Sequence, residues 1–309
     1  METILITGGT GLIGKAISKK LISEGYKVII LTRKLPIQQE DGQIAYAHWD
    51  VNNGKINQGA IQEADHIIHL AGANVAGGRW TTSRKKEIIE SRVLSGKLIV
   101  KALHEFPNKV KTVISASAIG WYGPDPVIPN LNPFVETDPA DHSFLGATCK
   151  QWEEAIAPVI QQGKRLVTFR IGIVLSKEGG AYVEFKKPLQ FGVASILGSG
   201  KQVVSWIHID DLVNLLLYAL RNEKIAGVYN AVSPKPSSNA ELIKAIAKAK
   251  GGFSITAKVP SIVLKLMLGE MSVEVLKSAT VSSEKLQQEG FAFQYPDIQT
   301  AADHLQRHA

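Results

Sequence analysis

The chain has 309 residues, 45% hydrophobic and 20% charged, with a formal net charge of +7, enough for one large α/β domain or a main domain with a smaller one. A single cysteine, Cys149, excludes an intrachain disulfide and a thiolate-cluster metal site, and no apolar run approaches the ~20 residues that span a bilayer. The basic residues are scattered apart from Arg84-Lys85-Lys86 and read as a solvated face, and a strand beginning at Thr3 leaves no leader segment, so we expect a cytoplasmic protein with no metal, membrane or nucleic-acid partner.

The first element is the β-branched run Ile4-Leu5-Ile6, followed by Thr7-Gly8-Gly9-Thr10-Gly11-Leu12-Ile13-Gly14 and a helix with apolar positions at 13, 17 and 21. Strand, glycine turn and helix in that order form a dinucleotide-binding fingerprint. Gly9, Gly11 and Gly14 match G-x-G-x-x-G, and Gly8, Gly11 and Gly14 match the related G-x-x-G-x-x-G spacing. Glycine is required because the turn visits positive φ and because a side chain would hold the backbone away from a pyrophosphate. The anion would rest on the helix N-terminus, so Thr7, Gly8, Gly11, Leu12, Ile13 and Gly14 are candidate contacts.

A second strand, Lys27 to Leu31, ends in Thr32-Arg33-Lys34, where this fold meets the adenosine ribose. An acidic residue there binds the 2′-hydroxyl of NAD, whereas an arginine accommodates the 2′-phosphate of NADP. Arg33 therefore points to NADP(H), and its loss is expected to weaken binding roughly ten- to a hundredfold. Ile44 to Trp49 is a third strand whose terminal Asp50 is placed near the adenine. Asp65 to Leu70 is the next, ending in Leu70-Ala71-Gly72 at a carboxyl edge, where a doubly wound sheet holds its ligands. His66 and His69 read as buried or edge histidines.

Thr81, Thr82 or Ser83 caps a long helix to about Glu105. Val110 to Ile114 is the fifth strand, with Ser115 and Ser117 at its end. Pro124, Pro126, Pro129, Pro133 and Pro139 make 121–141 a loop over the site. A helix follows from Ser143 towards Pro158, then a strand from Leu166 to Val174 carrying Arg170, which is expected among the groups around the cofactor. Gly179 to Gly200 reads as substrate-pocket structure. Asp210 caps a helix to Arg221, Val228 to Ala231 is a strand, Asn239 caps a helix to Lys250, and shorter helices begin near Pro260, Ser283 and Asp297.

Thr7 to Gly14, Thr32-Arg33, His69 to Gly72 and Ser115 to Gly123 together resemble the extended short-chain dehydrogenase/reductases, the superfamily of sugar-nucleotide epimerases and dehydratases. Gly72 to Val75 with Arg79-Trp80, Ser117 to Gly123, Trp206 to Asp211 and Leu268 to Met271 resemble its "epimerase family protein" branch, which has a short C-terminal domain, here about Val259 to Leu305. The resemblance implies a Rossmann-type doubly wound parallel sheet with NADP(H), and a smaller, mostly helical C-terminal substrate region. The expected division is 1–172 with 203–231 for the NADP-binding domain, and 173–202 with 232–309 for the substrate region. A homodimer through helices 83–105 and 143–160 would follow the superfamily's habit.

One departure is as informative as the match. The superfamily's Tyr-x-x-x-Lys pair, laid on Leu145 to Glu153, becomes Leu145 and Cys149, and Lys150 is rotated by about 100° from the needed position. Ser117 corresponds to the catalytic serine if one residue is inserted nearby. Tyr122 is the acid/base candidate, with His142 and Cys149 as others; for Cys149 a buried helix cysteine is the competing reading. These residues leave two functions open. One is an NADP(H)-dependent oxidoreductase or epimerase acting on an unknown small carbonyl or hydroxyl substrate. The other is a catalytically weak NADP(H)-sensing protein that acts through a protein partner.

Overall fold

Alternation of side chains decides the architecture of the sheet. In β1 (Thr3–Thr7), Ile4 and Ile6 face one side and Leu5 the other, and all are buried. The same division runs through β2 (Lys27–Thr32), β3 (Ile44–Asp50), β5 (His66–His69), β6 (Thr112–Ala118) and β7 (Arg165–Ile171), while β13 (Gly227–Ala231) adds Tyr229 and Ala231 to the Ile4 face. The computed structural model describes residues 1–35 and 44–307; the expected NADP-binding domain includes 36–43 and the expected substrate region 308–309, which lie outside the described residues. The sheet order is β13-β7-β6-β5-β1-β2-β3-β4, parallel throughout except for β4 (Lys55–Ile56), which runs antiparallel to β3. The chain moves outward from β1 through β2, then returns to β5 on the other side, so the strand order reverses at β1. The C-terminal edge at that reversal is where such a sheet binds its ligand.

Helices α1 (Leu12–Ser23) and α6 (Ile209–Arg221) cover the Ile4 face, and α2 (Gln58–Glu63) and α3 (Thr82–Glu105) cover the Leu5 face. Thr81 caps α3, and Ser143 caps α4 (Phe144–Ile156), which packs along α3. Gly96 of α3 sits so close that a Cβ there would lie 3.3 Å from Ala155.

Three expectations are corrected. The fifth strand extends to Ala118, so Ser115 and Ser117 lie inside the sheet and not beyond it. The run Leu166 to Val174 is two strands: Gly172 ends β7, and β8 (Ile173–Ser176) joins a separate sheet with β9 (Gly179–Gly180) and β12 (Trp206–His208). A Cβ on Gly172 would lie 2.7 Å from the Ser205 carbonyl, so the crossing is too tight for any other residue. The caps also shift. His208, not Asp210, caps α6, its Nδ1 accepting the Asp210 N–H at 3.0 Å. Ser238, not Asn239, caps α7 (Asn239–Lys250), in a capping box with Glu241.

A third apolar cluster joins α5 (Ala181–Leu189), β10 (Val193–Leu197), α7 and α11 (Ile298–Arg307). Beside it, β11 (Val203–Val204) pairs with β14 (Ser237–Ser238), and β15 (Ile255–Val259) lies parallel on β10. Then come α8 (Ser261–Leu268), a 3-10 turn Gly269–Met271, α9 (Ser272–Leu276) and α10 (Glu284–Gln288).

Candidate functional site

The glycine turn is packed to the limit of its backbone. Gly8 has φ +71, and a Cβ there would stand 2.7 Å from the Leu70 carbonyl oxygen; on Gly14 it would stand 2.3 Å from the Gly8 oxygen, and on Gly9 2.7 Å from Ile30. Only glycine fits at these positions. Gly11 is the N-cap of α1 with no side chain on its opening N–H groups, so the helix presents uncapped donors at the sheet's reversal point. A turn that a Cβ would fill, in front of such donors, fits a pyrophosphate. Arg33 and Lys34 stand exposed at the end of β2 on the same edge, where a 2′-phosphate would lie. Asp50 closes the β3–β4 turn by accepting the N–H groups of Asn52 and Asn53 at 3.1 and 3.2 Å, and the amide of Asn53 lowers its pKa.

Thr7 lies one layer below. Its Oγ1 accepts the N–H groups of Leu70 and Ala71, each at 3.2 Å, and meets His69 Nδ1 at 2.7 Å. It therefore joins β1 to the end of β5 instead of facing a ligand. Gly72 is pressed against Arg92, a residue not singled out from the sequence, whose buried guanidinium donates to the carbonyls of Ala73 and Ile88 and lies 4.8 Å above the ring of Trp152.

The structure moves three sequence-selected residues out of the cleft. Strand alternation turns Ser117 towards α4, where its hydroxyl, in a residue 2% exposed, donates to Glu153 at 2.7 Å. Arg170 pairs with the same carboxylate through Nε and Nη2 at 2.9 and 3.1 Å, and its Nη1 donates to the Tyr122 hydroxyl and the Glu136 carbonyl. The guanidinium also stacks 3.5 Å from the ring of Trp121. Tyr122, with no exposed surface, donates to Asn230 at 2.6 Å, and burial pushes its pKa up to about 12. A buried phenol with donor and acceptor both engaged is not an acid/base poised at neutral pH. Ser117, Tyr122 and Arg170 form one buried network. Ser115 is also internal, donating to the Ala116 carbonyl.

Leu145 and Cys149 pack against Gly120 at the end of β6. Burial, with Glu153 next, pushes the Cys149 thiol up to about 12, which ends its reading as a thiolate. Lys150 projects outward beside Glu154. His142 is exposed and, with Trp121, Pro124, Val127, Leu131 and Lys150, lines a groove of about 1500 Å³. Sequence reasoning also missed Lys277, after α9. Its Nζ donates to the Tyr122 carbonyl at 3.2 Å and pairs with Glu274 at 2.6 Å. No local pattern announces a contact spanning that much chain.

Among the described residues, His208, Asp210 and His304 bring three potential metal ligands together. The cap bond to His208 Nδ1 leaves its proton on Nε2, so the 3.3 Å contact with His304 Nδ1 is a hydrogen bond and His208 offers no ligand lone pair. No helix among the described residues is long and apolar enough to cross a membrane.

A parallel sheet reversing at a glycine turn that opens a helix defines a Rossmann-type nucleotide-binding protein. The NAD dependent epimerase/dehydratase family model matches residues 4–231, and a domain of unknown function, DUF1731, matches 259–305. The chain belongs to that family. An epimerase family protein of Staphylococcus saprophyticus is 36% identical over 305 residues, 99% of each chain. Among solved structures, the human epimerase family protein SDR39U1, solved with NADPH, superposes with a TM-score of 0.87 at 26% identity, covering 99% of this chain and 100% of that one. A nucleoside-diphosphate sugar epimerase from Corynebacterium glutamicum matches at 32% identity and TM-score 0.77, covering 99% of this chain and 58% of its own.

Proposed function

We propose that this protein is an NADP(H)-dependent oxidoreductase or epimerase that works by hydride transfer on a small carbonyl or hydroxyl compound. The observation that carries the reading is the glycine turn, which only glycine can form and which ends in uncapped helix donors, with Arg33 on the same edge. The human relative solved with NADPH supports the choice of cofactor. NADP(H), when bound, supplies or accepts the hydride. This chain's part is to hold the pyrophosphate on the N-terminus of α1, meet the 2′-phosphate with Arg33, and shape the space beside Leu145 and Cys149. Ser117 and Tyr122 keep the loop root in place from beneath.

Titration with NADPH and NADH, followed by nicotinamide fluorescence, tests this. NADPH is expected to bind more tightly, and Arg33→Ala to weaken it roughly ten- to a hundredfold while leaving NADH nearly unchanged. If neither nucleotide binds, the reading is wrong. The replacement of the Tyr-x-x-x-Lys pair by Leu145 and Cys149 favours a second reading, an NADP(H)-sensing protein that acts through a protein partner. Cofactor-dependent protection of residues 121–142 from proteolysis, without turnover, would select it.

A further inference from the structure

Two helices of the third apolar cluster end at the same place. α5 carries Lys186 and Lys187 in its last turn, and α7 carries Lys248 and Lys250 in its own. Each helix is followed within a few residues by a phenylalanine left in water, Phe191 at 85% and Phe253 at 83% exposure. The turns that hold the two rings are joined. The Ile255 N–H donates to the Gly192 carbonyl at 2.8 Å, and a Cβ on Gly192 would lie 3.7 Å from the Phe253 carbonyl oxygen. From there β10 and β15 run side by side with Val193 opposite Ile255, itself 60% exposed. Two segments far apart in the chain thus build one tip in the same order, lysines at the base and an aromatic ring beyond them.

The core beneath is complete without these rings, since Leu189, Ala194, Ile196 and Ile246 are buried in it. Single apolar side chains on a surface are ordinary, but two phenylalanines and an isoleucine on adjoining turns, rimmed by polar groups, mark an interaction surface. Charge decides what that surface fits. Lysine in a last turn suits the helix dipole, which accounts for the base of the tip and not for the rings. The carboxylate at these two helix ends is that of Glu184, which pairs with Lys187 at 2.7 Å. Among the described residues, Lys186, Lys248 and Lys250 have no carboxylate partner, so the tip carries an excess of positive charge. In the sequence these lysines belong to a scattered, solvated face; the fold gathers them around an apolar point.

We propose that this tip docks the protein on an anionic lipid bilayer. Phe191, Phe253 and Ile255 enter the boundary between headgroups and acyl chains, and the lysines behind them meet lipid phosphates. A nucleic acid calls for cations along the centre of its footprint, where its phosphates run. Here the centre is apolar and the cations precede it on both segments, which is the order of depth at a bilayer interface. The association is peripheral, as no helix among the described residues is long and apolar enough to cross a membrane. It goes beyond the cofactor reading and stands whether or not NADP(H) binds.

The test is co-sedimentation of the full-length protein with vesicles of phosphatidylcholine alone and of an equal mixture of phosphatidylcholine and phosphatidylglycerol. Binding to the mixture is expected to exceed binding to phosphatidylcholine at least about tenfold and to weaken with added salt. Phe191→Ser combined with Phe253→Ser is expected to weaken it at least about tenfold, since one buried phenylalanine at ~1.5 kcal/mol, converted at 1.4 kcal/mol per tenfold, gives that much. Lys187→Gln combined with Lys248→Gln is expected to weaken it roughly twenty- to thirtyfold, from ~1 kcal/mol per basic residue converted in the same way. All four side chains are exposed, so neither double variant disturbs core packing. Equal binding to both kinds of vesicle, no binding to either, or double variants that bind as wild type does overturns the proposal. In that case wild-type binding of a single-stranded oligonucleotide, or self-association lost in the phenylalanine variant, would identify the occupant instead.

Discussion

Arg170 sits beneath a tryptophan ring with both edges of its guanidinium occupied, and one of the groups that satisfy it, the Tyr122 hydroxyl, is the acid/base candidate of the sequence. A buried charge stays ionised only when its partners compensate for lost hydration, and here Glu153, the Tyr122 hydroxyl and the Glu136 carbonyl do so. Tyr122→Phe is therefore expected to lower stability by about 1–3 kcal/mol, since Asn230 loses its donor and Arg170 one acceptor. Urea denaturation measures the loss, and NADPH affinity should stay within about twofold of wild type. Weakened NADPH binding with unchanged stability would return Tyr122 to the cleft. Ser117 is assigned to the site by the resemblance, as the counterpart of the superfamily's catalytic serine, and by the end of the apolar run at Ile114, which hides the strand's continuation to Ala118. Register then decided the matter: Ser117 pairs with Arg170 inside the sheet. Thr7 was legible as part of the turn, but its role of gathering N–H groups from β5 depends on a contact 63 residues away.

Between residue and molecule lie the elements, whose existence followed from periodicity and whose ends followed from particular hydrogen bonds. Ser238, Asn239 and Glu241 show the difference. Asn239 is a favoured capping residue, but the Ser-x-x-Glu spacing puts Ser238 at the N-cap, with its Oγ taking the Glu241 N–H at 3.2 Å and Glu241 returning to the Ser238 N–H at 2.8 Å. Asn239 is thereby released to hold β10, accepting the Leu197 N–H at 2.8 Å. Ser238→Ala should cost about 1 kcal/mol, within the usual 0.5–2, read from the thermal midpoint at fixed pH. No change would mean that the Glu241 half of the box suffices. The capping signal was present in the sequence, as was the glycine that divides β7 from β8. His208 gave no such signal, because imidazole is an unusual cap and its partner N–H is known only once α6 is placed. The tie between Arg79 and the end of α8 joins two motifs nearly 190 residues apart, and nothing local predicts it.

At the scale of the whole molecule, the doubly wound sheet was legible because each buried strand has its own apolar run, and each face one alternating set. How the layers are joined was not. His69 is fully buried between β1 and α3, with Nδ1 on Thr7 Oγ1 at 2.7 Å and Nε2 facing Ser95 Oγ at 3.4 Å. Because Thr7 Oγ1 already accepts two N–H groups, its proton is directed at Nδ1, which fixes a neutral ring protonated on Nε2. A second ring proton would face the Thr7 hydroxyl hydrogen, and burial holds the His69 pKa down at about 4. The unfolded chain takes up a proton near the ordinary value of 6.5 and the folded chain does not, so stability rises with pH between the two. The contribution of His69 is complete above about pH 6.5 and is lost as pH falls through 4, to the extent of about 3 kcal/mol, from 1.36 kcal/mol per pKa unit. His66 and His208 are lowered in the same direction, chiefly by burial, so the wild-type slope contains all three. His69→Met separates them. It fills the space without titrating, so urea midpoints measured from pH 7 to pH 4 should fall less steeply than in wild type, by about the His69 share. Equal slopes in the two proteins would mean that the joint between β1, β5 and α3 does not depend on a neutral imidazole.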